Sequence, residues 1–134
     1  MKNQRGATAI EFAIVFPLLV LLLFGIIEFS VILYDKAMIT NASREGARAG
    51  IVSQLVRVSD AQIQGIVDNY CALYLISFSS GTTPATAVTR TGLTFGDELS
   101  VTVTYTYNFL ALPQFVTGLV GPMNLTAKTV MRME

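Results

Sequence analysis

The sequence predicts an α+β fold. It comprises one long apolar N-terminal helix, a second short helix and a small antiparallel sheet of about three strands. Three observations carry this. Phe12–Ile27 is 16 residues without a charge, and beyond Glu28 the apolar character resumes through Tyr34. After Ser59, apolar residues recur at helical spacing. From Leu99 to Phe109 they alternate strictly with Ser, Thr and Asn, the period of a half-buried strand.

Residues 7 to about 50 read as one continuous helix. The 23 residues Phe12–Tyr34 would reach about 34 Å at roughly 1.5 Å per residue, enough for a hydrocarbon core of about 30 Å with some tilt. Pro17 falls inside this run. Membrane helices tolerate an internal proline because neighbouring groups re-satisfy the freed backbone. Past Tyr34 the pattern becomes rich in small residues, Ala42-Ser43-Arg44-Glu45-Gly46-Ala47-Arg48-Ala49-Gly50. Its charges are spaced for a solvated or partner-facing surface. Glu45 and Arg48 stand three apart, close enough to pair, and Gly46 or Gly50 marks the exit.

The second helix starts near Asp60, where Ser59 followed by Gln62 forms a capping box. Ile63, Ile66, Val67, Tyr70 and Tyr74 then share one face, with an end expected between Leu75 and Phe78. Ser79–Pro84 is a loop by composition. A strand around Ala87–Leu93, a turn at Gly96-Asp97, the alternating strand Leu99–Phe109 and a closing strand Leu125–Arg132 complete the sheet. Leu110–Pro122 is apolar and proline-bounded. It either folds back over the sheet or forms a patch for a partner or the membrane face.

Composition excludes much. Hydrophobic residues make up 52% and charged ones 13%, an excess concentrated in the N-terminal run. Formal net charge is zero and no basic run is present, so no nucleic-acid surface is expected. Without histidine a Ser-His-Asp triad is impossible, and with a single cysteine a zinc site is implausible. Asp97-Glu98 reads as a solvated pair of acids in a turn. No metal, cofactor or catalytic residue is predicted. Cys71 is expected as a buried free thiol, with an inter-subunit disulfide as the alternative. A secretory signal has an apolar region of about 7–15 residues with a nearby cut site. This run is longer, and Ala47-Arg48-Ala49 lies far past it, so retention is expected. Positive charges flank both sides and do not set the orientation.

The N-terminus carries the sharpest signal. Lys2 and Arg5 form a short basic leader ending at Gly6, and Glu11-Phe12 heads the apolar run. A carboxylate at the head of a membrane segment is costly and marks function. Pro17-Leu18-Leu19, Gly25-Ile26-Ile27-Glu28-Phe29, the small-residue stretch Ala42–Gly50 and the close Thr129–Glu134 complete a pattern. It resembles the TadE-like minor pilins of the tight-adherence (Tad/Flp) pilus, a branch of the type IV filament superfamily.

That resemblance implies a leader at residues 1–6, a membrane and assembly helix at 7–34, its extension at 35–53 and an exported α+β domain at 54–134. A prepilin peptidase would cut between Gly6 and Ala7, leaving seven basic and nine acidic side chains, a balance of −2. The new ammonium at Ala7 needs a partner in a packed bundle, and Glu11 of an adjoining subunit can supply it. Phe12 and Glu28 belong to the same assembly helix, and Arg44, Glu45 and Arg48 to the extension. Glu28 either meets water at the outer interface or contacts another subunit. The implied partners are the peptidase, other major and minor pilins, an inner-membrane assembly platform and, before assembly, lipid. The implied location is the bacterial inner membrane, with the N-terminus inside and the domain exported, and then the pilus. The alternative is an uncut single-pass anchor whose domain binds an envelope partner.

Overall fold

The structure, a computed structural model, describes residues 3–52, 57–77, 83–109, 118 and 121–134, with side chains from Gly6 onward. Helix α1 runs Asn3–Ile51 and helix α2 Asp60–Tyr74. Strands β1 (Ala85–Arg90), β2 (Glu98–Tyr107) and β3 (Met123–Arg132) form one antiparallel sheet in the order β1-β2-β3. This is the α+β arrangement expected. The junction between residues 53 and 54 lies outside the described residues. So does most of the loop 79–84 and of the apolar stretch 110–122.

At 49 residues, α1 is the longest element. It passes through Pro17 unbroken and continues through both Gly46 and Gly50, ending only at Ile51. Gly46 is therefore interior, while the helix ends one residue past Gly50. Each glycine lies where the helix is crossed at close range. A Cβ on Gly46 would sit 2.5 Å from Val67 Cγ2, and one on Gly50 would sit 2.6 Å from Ile63 Cδ1 with Leu99 still nearer. The small residues are there so that α2 and β2 can approach the backbone of α1.

The capping box at the start of α2 is present in both directions, Ser59 to the Gln62 backbone and Gln62 to the Ser59 backbone. The helix stops at Tyr74, one turn short of the latest expected end, where Leu75 takes extended geometry and its N–H reaches the Cys71 carbonyl. Its buried stripe is Ile63, Val67 and Cys71. Ile66 and Tyr70 are half-buried and Tyr74 is exposed. The expected face is thus rotated toward the spacing of four that matches the glycines of α1.

In β2, Leu99, Val101, Val103, Tyr105 and Tyr107 are buried, and the intervening Ser and Thr lie on the opposite face. The expected alternation fixes that strand. Its boundaries differ at the edges. Phe109 lies beyond the strand, half-buried against the core. β3 begins two residues earlier than expected because Met123 pairs with Tyr107. β1 spans Ala85–Arg90 rather than 87–93 because the hairpin turn takes up residues 91–97. Within that turn Asp97 Oδ2 accepts the Thr94 N–H at 2.7 Å and the Thr94 hydroxyl at 2.6 Å, and Gly96 adopts φ +88.

Contacts along α1 fix the heading of each element. β2 descends it, with Leu99 level with Gly50 and Tyr107 level with Glu28. β3 ascends: Lys36 donates to the Thr126 carbonyl, the Ser43 and Thr129 hydroxyls lie 2.7 Å apart, and the Glu134 N–H reaches the Ile51 carbonyl. α2 descends from Ile63 beside Gly50, and just past its end Ile76 lies beside Asp35. The core therefore sits between residues 28–51 of α1, α2 and the sheet.

Candidate functional site: an exposed rod and its seam with the domain

The two halves of α1 differ completely. From Gly6 to Ile27 no residue is buried. This segment of 22 residues would measure about 33 Å at roughly 1.5 Å per residue. Ile14, Leu18, Leu19, Leu22, Leu23 and Ile26 all expose half or more of their surface. Beyond it, burial begins at Glu28 and recurs at Asp35, Ile39, Ala42, Ser43, Gly46, Ala47 and Gly50. That is one stripe at helical spacing facing the domain.

Glu11 and Phe12 lie on the free segment, both exposed, and the Phe12 ring stacks on Phe16 at 5.3 Å. Gly6 and Ala7 are exposed too, and a Cβ on Gly6 would meet nothing within 4 Å. The fold therefore places no steric demand on glycine at position 6.

Glu28 is 3% exposed, and its Oε1 accepts the Tyr107 hydroxyl at 2.6 Å. The carboxylate thus has a partner in its own chain, on the last residue of β2. One heptad further, Asp35 is wholly buried. Its Oδ1 accepts the Ile76 N–H at 3.0 Å, while Oδ2 is buried without a hydrogen-bond partner among the described residues. Burial pushes the Asp35 carboxyl above the usual range, only partly opposed by the Ile76 N–H. Burial likewise raises the Tyr107 phenol, and the Glu28 carboxylate raises it further. Tyr107 and Asp35 are both shifted toward their neutral, proton-bearing forms. Such a phenol is a fixed hydrogen-bond donor toward Glu28.

Arg44, Glu45 and Arg48 point away from this seam and are exposed. Among the described residues the ion pairs are Arg90 with Asp60 and Arg132 with Glu98, so the expected pairing of Glu45 with Arg48 is not formed. The intervening small residues do the packing, so one stretch serves two surfaces. Cys71 is buried and free, its thiol pushed up to about 11 chiefly by burial. Tyr107 and Asp35 are residues of this seam that the sequence reading does not single out. The spacing of seven between Glu28 and Asp35, which puts both acids on one helix face, is the available signal. Tyr107's partnership depends on sheet docking, which no local pattern encodes.

The TadE-like protein family model matches residues 6–48. The matched stretch begins at Gly6, covers the whole exposed rod and ends inside the small-residue seam. No curated protein and no solved structure matches the chain.

Proposed function

From a chain that is TadE-like over residues 6–48, which supports a Tad pilus-associated, pilin-like protein, we propose a processed minor pilin. A prepilin peptidase cuts it between Gly6 and Ala7. Residues from Ala7 to about Ile27 hold it in the inner membrane with the domain exported. An assembly platform then passes it into a filament with other major and minor pilins.

The observation that carries this reading is the 22-residue apolar rod whose surface its own domain leaves uncovered. The domain has a closed core of its own, so the rod's surface is available for another environment. Lipid fills that role before assembly and sister helices afterwards. The two media are similarly apolar, so transfer between them is governed by packing and polar pairing. Glu11 is the charged group on that surface. The ammonium that cleavage creates at Ala7 is its natural partner on a neighbouring subunit, which sets register between helices. A leader glycine that fits nothing in the fold is accounted for by a peptidase that needs a small residue there.

Intact-mass measurement of the chain from envelope fractions tests this. A polypeptide beginning at Ala7 is expected in cells with an active peptidase, and one beginning at Met1 in cells without it. Gly6→Leu should block the cut while leaving the fold unchanged. A full-length chain beside an active peptidase would overturn the reading in favour of an uncut anchor.

A further inference from the structure

We infer that the domain does not stand clear of the bilayer but rests in its headgroup layer through Phe109, Pro122 and Met123. This deepens the membrane-spanning reading above and rests on it. The hydrogen bond from Tyr107 to Glu28 fixes the height of the sheet against the rod. Glu28 directly follows Ile27, the last residue of the uncovered segment. A segment of about 33 Å against a hydrocarbon core of about 30 Å leaves Glu28 at the boundary. The end of the sheet that bears Tyr107 and its pair Met123 is therefore at the boundary as well.

That end is built for such a place. Phe109 packs edge-on against Tyr107 at 5.7 Å, Pro122 is exposed and Met123 is 39% exposed. Among the described residues there (28–35, 75–77, 107–109 and 121–124), the carboxyl groups of Glu28 and Asp35 are buried and no exposed side chain carries a charge. The opposite end, level with Ile51, carries Arg57, Asp60, Asp97, Glu98, Arg132 and Glu134. An end without exposed charge, bearing aromatic and apolar side chains and continuous with a spanning helix, matches lipid at the interface. The charged end matches water.

The chain has no tryptophan, so single tryptophans report depth directly. Met123→Trp, Pro122→Trp, Phe16→Trp and Phe95→Trp are reconstituted in phosphatidylcholine vesicles, with folding checked by circular dichroism. Quenching by acyl-brominated phosphatidylcholine is compared with quenching by aqueous acrylamide. Phe16→Trp is expected to lose most of its emission to the brominated lipid. Phe95→Trp, at an 87%-exposed turn position, should lose it only to acrylamide. Met123→Trp and Pro122→Trp should follow Phe16→Trp in kind. If both instead follow Phe95→Trp while Phe16→Trp remains lipid-quenched, the inference fails and the spanning helix stands. Shielding from both quenchers would overturn it in favour of a second copy of the chain covering this end. Acrylamide quenching of Phe16→Trp would overturn the spanning reading itself, and this inference with it.

Discussion

Tyr107 gives its hydroxyl to a carboxylate that the fold has almost completely removed from water, and the energetic consequence is specific. Deleting a donor from a buried charged acceptor costs about 1–3 kcal/mol, because the acceptor keeps its desolvation penalty. Tyr107→Phe removes the donor with little change of shape. It should lower the domain's unfolding free energy by that amount in urea titrations of the detergent-solubilised protein. An unchanged midpoint would show that Glu28 needs no such donor. Asp35 makes the companion case through pH. Burial raises its carboxyl above the ordinary aspartate value, so the folded state favours its neutral form. The stability it carries is complete below the ordinary carboxylate range and is lost as pH rises through the raised value. The Ile76 N–H, which favours the charged form, opposes that direction and is outweighed by burial. Asp35→Asn can still accept from the Ile76 N–H and never ionises. The stability difference between variant and parent, measured from acid to neutral pH, should grow in the variant's favour. A flat difference would refute the assignment. Glu28 is visible in the sequence as an anomaly, a lone acid in an apolar run. Its partner is not, because a hydrogen bond spanning 79 residues depends on how two elements dock rather than on what surrounds either of them.

At the scale of elements, the stretch Ala42–Gly50 shows how one short sequence is read by two different neighbours. Its charged members stay in water, and its small members set the distance at which α2 and β2 cross α1. A helix can carry glycine in its interior only at a cost of roughly 1 kcal/mol relative to alanine. Gly46 is retained at that cost because Val67 occupies the space a Cβ would need. Gly46→Ala therefore gains helix propensity and loses fit. Overpacking of this kind typically costs about 1–3 kcal/mol, so the net change in thermal unfolding should be destabilising. Gly25→Ala, where a Cβ would meet nothing within 4 Å, supplies the control and should be neutral or slightly stabilising. Equal behaviour at the two positions would remove the packing explanation. The same physics explains which elements are legible. The alternation of β2 and the capping box of α2 are local, and both stand where expected. The face of α2 is not local. Ile66, Tyr70 and Tyr74 are apolar enough to look like core, but the buried stripe follows the glycines opposite, Ile63 and Val67 with Cys71 beyond. Strand ends move because Asp97 closes the hairpin through Thr94 and because Met123 extends the pairing to Tyr107.

For the whole molecule, the division of α1 at Glu28 separates what the chain does for itself from what it offers to others. Residues 28–51 complete a core. The preceding rod contributes nothing to that core, so substitutions on it should leave the domain intact and act only on association. The length of the apolar run is legible in the sequence, but its inner boundary is not. Val31 and Ile32 look like membrane residues in sequence, yet they pack against the domain core, so the uncovered segment is shorter than the apolar one. This separation makes Glu11 a clean test of assembly. The side chain is exposed, and Glu11→Gln keeps its size and its hydrogen-bonding capacity while removing the charge. Cleavage at Gly6 and the domain's unfolding transition should both be preserved, because neither uses the carboxylate. Incorporation into sheared filaments, read by immunoblot against the membrane-retained pool, should fall sharply, because the Ala7 ammonium would enter a low-dielectric bundle without its counter-charge, and a buried pair broken on one side costs about 3–5 kcal/mol. Restoring incorporation by co-expressing unaltered chain would place the defect in pairing between subunits. Full incorporation of the variant alone would show that register along the rod is set by side-chain packing, with no electrostatic contribution from position 11.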